Sequence, residues 1–213
     1  MPGPISDRAL IPGLEWAAAT QTLPGESRSG DQPVVQPFSG GVLVGLVDAV
    51  GHGAAAAEGA ERAAAALARY AHEPVGSLLR RCNDALRSTR GAVVSLASFD
   101  TTAATVTWVG VGNVAGIVLA ADRTAPPSRS VLITPGGIVG TELPRARPEL
   151  LHLSPGDTLI LATDGVDARF TDAFSAPGPP QELADQVLAR FGRGTDDACV
   201  FVVRYLGFDG AGS

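Results

Sequence analysis

The sequence contains no lysine, a single methionine, two cysteines and few aromatics, which make up 5% of its 213 residues. Two cysteines allow at most one disulfide, which is the lesser reading. Cys82 falls in a predicted helix and Cys199 in a predicted strand, where buried reduced thiols suit a cytoplasmic protein. Sparse aromatics leave the core to aliphatic side chains. Arginine fills every basic position, a bias that carries no functional weight beside so much Ala and Gly. Charged residues make up only 18%, and the net charge of -6 argues against nucleic acid, whose binding needs clustered positive charge. No apolar run reaches membrane-spanning length. Residues 1–16, with Pro2, Pro4 and Asp7, lack the basic start and apolar core of a signal peptide.

What is present describes a globular chain: 45% hydrophobic residues, with 26 Gly and 16 Pro to supply turns. One domain over residues 1–213 is expected, since neither a linker nor a repeat interrupts the pattern. The organising stretch is Leu43 to Gly53. Its apolar, β-branched run reads as a buried strand that stops at Asp48, and Gly51 and Gly53 then allow a sharp turn into an Ala-rich helix. A carboxylate at the end of a hydrophobic strand is costly unless it meets a cation or a donor, which makes Asp48 a site candidate.

Val34 to Phe38 and Val42 to Val47 form a predicted hairpin around Ser39-Gly40-Gly41. Asp31 starts it and Asp48 ends it, so antiparallel pairing brings both carboxylates to one sheet edge. Further strands are expected over Leu14–Thr20, Ala92–Phe99, Ala104–Val111, Val114–Leu119, Val131–Ile133, Leu150–Leu153, Thr158–Ala162 and Ala198–Tyr205, with a surface loop over Ala121–Ser130. Helices are expected over Ala54–Tyr70, Pro74–Thr89 and Gln181–Phe191. Asp164 follows one strand and Asp196-Asp197 precedes another, again at a common edge. Strands, a helix pair, more strands and a last helix give an α+β fold: an α-β-β-α sandwich of two antiparallel sheets flanked by helices.

Four Asp without His or Cys partners make a hard-oxygen set suited to Mg or Mn. Two divalent ions would neutralise such a cluster and assist in-line attack on a phosphoryl group. Singly, each Asp is an ordinary turn or cap residue; together, four strand-end Asp with adjacent glycines make a site. His52 is read equally as a general acid and as packing at a helix start. Arg28, near Asp31, is a phosphate-pairing candidate set against a plain surface role. His72 and His152 read as structural.

Ser29-Gly30-Asp31, Asp48-Ala49-Val50-Gly51-His52-Gly53, Thr163-Asp164-Gly165 and Thr195-Asp196-Asp197-Ala198 stand in the order and approximate spacing of the metal-dependent protein phosphatases, the protein phosphatase 2C superfamily. With Gly112-Asn113-Val114 and Gly136-Gly137-Ile138-Val139-Gly140, the chain resembles the SpoIIE-type branch and its small stand-alone RsbX-type members over roughly residues 14 to 206. The resemblance implies two Mn2+ or Mg2+ ions at the sheet edge and hydrolysis of phosphoserine or phosphothreonine in proteins. By motif, Asp48 would bridge both metals, Asp31 would hold one, and Asp164 and Asp196 the other. Ala49 stands where the family usually has a Gly that ligates through its carbonyl. Asp48 and Asp164, with His52, are the catalytic candidates. The implied partner is a phosphorylated regulator, an anti-sigma antagonist or stressosome component, with neither nucleic acid nor membrane. The alternative is a degenerate phosphatase serving as a phosphoprotein-binding scaffold.

Overall fold

The computed structural model describes residues 8–11, 13–101, 103, 105–122, 124 and 127–207. Elements follow in the order β1 (Arg8–Ile11), β2 (Leu14–Gln21), β3 (Asp31–Phe38), β4 (Gly41–Ala49), α1 (Gly53–Arg69), α2 (Val75–Leu86), β5 (Ala92–Asp100), β6 (Thr105–Val111) and β7 (Ala115–Leu119). After these come β8 (Arg129–Leu132), β9 (Glu149–Leu151), β10 (Thr158–Ala162), α3 (Phe170–Ala173), α4 (Pro180–Phe191) and β11 (Ala198–Tyr205). One sheet runs β1-β2-β11-β10-β7-β8 and the other β3-β4-β5-β6-β9, every pairing antiparallel.

Three apolar clusters define four layers. Leu43, Val47, Val94 and Leu96 of the five-stranded sheet pack against Ala60, Ala63, Leu67, Leu78 and Cys82 of α1 and α2. Val44, Leu46, Phe99 and Trp108 meet Leu159, Leu161, Phe201 and Val203 between the sheets. Ile160, Val200 and Val202 of the six-stranded sheet meet Leu183, Ala184 and Val187 of α4. The alternation of side chains along β4 thus serves two cores, which is why its whole run from Gly41 to Val47 is buried. This is the α-β-β-α sandwich expected from the order of elements.

Two local outcomes differ from expectation. Strand β1 was not foreseen, because a four-residue edge strand is too short to show a period. The loop expected through Ser130 ends earlier, with Arg129 and Ser130 already paired to Leu119 and Val118. Strand β3 carries Pro33 and Pro37, which its place at the sheet edge tolerates because a proline there costs no ladder bond.

Both acid-bearing ends are set by register. Asp31 lies directly opposite Asp48 in the β3–β4 pair. In the other sheet Ala162 pairs with Val200, so Asp164 just beyond β10 and Asp196 just before β11 emerge at the same end. Gly165 lets these two segments touch, since a Cβ there would collide with the Asp197 carbonyl oxygen.

Candidate metal centre

The acidic ends of the two sheets face one cavity of about 400 Å³. Its carboxylates are Asp31, Asp48, Asp164, Asp196 and Asp197; Val50, Val93 and Ile138 give it an apolar wall. Four of these carboxylates were candidates from the sequence, and the fold brings all four together.

Their environments differ. Asp31 is buried, Asp48 and Asp196 are half-buried, and Asp164 is exposed. Burial, then the charge of Asp48, holds the Asp31 carboxyl well above the usual range, against a lowering hydrogen bond from Thr163. Asp48 is pushed up to about 7 by burial, then by the charges of Asp164 and Asp196. The charges that act most strongly on both are negative. Like charges placed directly opposite across a ladder are unfavourable, so this arrangement calls for a cation.

A second set of hydrogen bonds fixes the acids in place. Thr163 donates its hydroxyl to Asp31 Oδ2 at 2.6 Å and accepts the Cys199 N–H at 2.8 Å. Asn113 Nδ2 donates to Asp164 Oδ2 at 2.8 Å. Asp197 is buried and accepts two backbone N–H groups, Leu23 at Oδ1 and Gly30 at Oδ2, both at 2.8 Å. It therefore ties the segment preceding Asp31 to the start of β11. The Cys199 thiol is pushed well up by burial, then by Asp31 and Asp48, and both cysteines are free and buried.

Other sequence candidates lie elsewhere. His52 stands at the N-cap position of α1 without a capping hydrogen bond, is exposed, and places Nδ1 2.8 Å from Glu26 Oε1; it does not line the cavity. Arg28 is paired with Glu61 on the surface. Ala49 is the last residue of β4, buried at 2% exposure with its side chain in the α1 core, and its N–H donates to the Gly30 carbonyl. The cavity is lined by its neighbours Asp48, Val50 and Gly51 instead. Being in regular strand conformation, Ala49 takes a backbone that any residue adopts.

The donor set fits a hard divalent ion: oxygen ligands only, two of them carboxylates whose charged form the bare protein disfavours. Among the described residues no three His, Cys, Asp or Glu side chains close on an ion by themselves. That is compatible with Mg or Mn, which keep several waters and take one or two carboxylates each alongside substrate oxygens.

Residues 39–206 match the family model of Stage II sporulation protein E (SpoIIE). The chain belongs to the SpoIIE family. A curated relative, the phosphoserine phosphatase RsbX of Bacillus subtilis (strain 168), is 26% identical over 183 residues, covering 85% of this chain and 89% of its own. Among solved structures, RsbX in complex with magnesium superposes with a TM-score of 0.80 at 19% identity, over 94% of this chain and all of that one. A chain from work on the bacterial stressosome, described as a modular system adapted to control secondary messenger signaling, superposes with a TM-score of 0.78 at 26% identity, over 90% of this chain and 99% of its own. The family expected from the order of the four Asp motifs is thus the family found.

Proposed function

We propose that this SpoIIE-family chain is a metal-dependent protein serine/threonine phosphatase, acting on phosphoserine or phosphothreonine in small regulators of a bacterial partner-switching pathway of the anti-sigma or stressosome kind. The observation that carries it is the convergence of Asp31, Asp48, Asp164 and Asp196 on one cavity at the joined ends of two sheets. The curated relative named as a phosphoserine phosphatase supports the reaction, and the magnesium complex of RsbX supports the metal. All four acids are present, so a degenerate scaffold is not favoured.

In this reading Asp48 would serve both Mn2+ or Mg2+ ions, with Asp31 helping to hold one and Asp164 and Asp196 the other. Such ions, when bound, neutralise the phosphoryl oxygens and lower the pKa of the attacking water. Thr163 orients Asp31 and Asn113 orients Asp164, a role that outer partners commonly play for metal-holding carboxylates. Asp197 holds the Leu23–Gly30 segment against the site. Ala49 could reach a metal only through its carbonyl, and His52 is left to position the start of α1 through Glu26.

One domain over residues 1–213 and a cytoplasmic location complete the proposal. Two free buried cysteines support a reducing compartment, and among the described residues no helix is long and apolar enough to cross a membrane. Purified protein should hydrolyse an aryl phosphate and a phosphoserine peptide only with manganese or magnesium. Metal-independent turnover, or none with either metal, would defeat it.

A further inference from the structure

Arg90 lines a shallow groove next to the acidic cavity and adjoins Gly51, a residue of the cavity wall. It follows α2 and precedes β5, and the Val50 N–H to Gly91 carbonyl bond of 3.0 Å fastens this turn to the end of β4. Gly51, which lines the cavity with φ at +100°, is overlaid by the Arg90 guanidinium: Nη1 occupies the space that a Cβ on residue 51 would need. A glycine at 51 therefore both makes the turn and lets the guanidinium approach the cavity edge.

The charge of Arg90 is uncommitted. Among the described residues its guanidinium makes neither a hydrogen bond nor an ion pair, in contrast to Arg28 with Glu61, Arg62 with Glu58 and Ser88, and Arg81 with Glu73. Glu58, the carboxylate that shares this groove with Arg90, is already taken by Arg62 at 2.6 Å. An exposed, unpaired guanidinium lying over a glycine of a cavity lined by five Asp carboxylates is within reach of an anion arriving from solvent. Its planar fork matches two phosphoryl oxygens at once.

We infer that Arg90 is the residue that recognises the substrate's phosphoryl group at the cavity mouth, the role for which Arg28 was the candidate in the sequence. This rests on the phosphatase reading. Arg28 is engaged by Glu61 on the surface, whereas Arg90 is free and adjoins a cavity-lining residue.

The test compares manganese-loaded wild type with Arg90→Ala, Arg90→Lys and, as a surface control, Arg147→Ala. Calorimetric titration of inorganic phosphate should show binding to wild type, weakened about tenfold in Arg90→Ala, as expected for losing one charge-assisted pair near solvent. Arg90→Lys should recover part of it through its point charge. The KM for both an aryl phosphate and a phosphoserine peptide should rise by a similar factor, with manganese affinity unchanged and the control like wild type. Unaltered phosphate binding in Arg90→Ala, a KM change confined to the peptide, or a fall in manganese affinity would each overturn the assignment. If wild type binds phosphate through Arg90 yet turns over nothing, the phosphatase reading fails while Arg90 stands. If wild type is active and Arg90→Ala matches it, Arg90 alone fails.

Discussion

The two acid-bearing corners of the cavity are built differently. In the five-stranded sheet, Asp31 and Asp48 lie opposite each other within a regular ladder, one buried and one half-buried. In the six-stranded sheet, Asp164 and Asp196 lie just outside the strands, exposed and half-buried, placed by Asn113 and by the close backbone approach at Gly165. The first corner sets its repelling carboxylates by ladder register, with Thr163 steadying Asp31; the second lies outside the ladder and depends on Asn113 and a close backbone approach for its geometry. A cation is needed at the first to offset like charge, and at the second the partners must hold the carboxylate still.

The sharpest way to break this contrast is to neutralise one acid in each corner. Asp48→Asn and Asp164→Asn should both reduce manganese-dependent turnover below detection while leaving circular dichroism unchanged. They should part company in the metal-free protein. Asp48→Asn removes a half-buried charge from a repulsive cluster and should raise the melting temperature clearly, whereas Asp164→Asn, at an exposed position, should raise it less, by relieving only its own charge on Asp48. Equal shifts in the two variants would erase the distinction.

Next in size, Asn113→Ala should weaken manganese binding by roughly ten- to a hundredfold, the usual effect of removing an outer partner of a metal-holding group. The melting temperature of the metal-free protein should change little, because Asn113 is exposed. A calorimetric titration matching wild type would show that Asp164 needs no such support.

The pH dependence separates the corners more gently. The folded value of Asp48, about 7, lies above that of an unfolded aspartate, so its contribution to stability is present in acid and is lost as pH rises through about 7. Protons and metal compete for the same oxygens. The rise in melting temperature produced by manganese should therefore grow between roughly pH 5 and 8. In Asp48→Asn that growth should shrink. A manganese effect independent of pH in wild type would contradict the raised value.

Smallest is Ala49→Gly. As Ala49 is a buried residue in regular strand conformation, glycine should cost about 0.5–1 kcal/mol through backbone freedom in the unfolded chain and leave manganese affinity as it was. Tighter metal binding in the glycine form would revive the idea of a strained carbonyl ligand.

Much of the cavity was legible in the sequence because it rests on strand ends. A hydrophobic run that stops at Asp, and a hairpin begun and ended by Asp, determine an edge through register alone, and Asp31 opposite Asp48 is the outcome. The layers were legible for a related reason: long buried strands, an Ala-rich helix and an amphipathic helix leave few ways to cover both sheets. What escaped was long-range side-chain pairing. Asp197 reaches Leu23 and Gly30 across the whole chain, and Thr163 reaches Asp31, with no local pattern to announce either. His52 and Arg28 stand close to acid motifs in sequence, yet Glu26 and Glu61 engage them on the surface. Arg90 gave no signal, because its value lies in the glycine it overlies and in the partner it lacks.

The most direct test of the metal centre is the number of ions bound. Calorimetric titration of manganese into metal-free protein, with metal content checked after dialysis, should give two ions per chain in wild type and a lost or severely weakened site in Asp48→Asn. A stoichiometry of zero, or the same two ions bound equally well without the Asp48 carboxylate, would contradict a paired centre organised around Asp48.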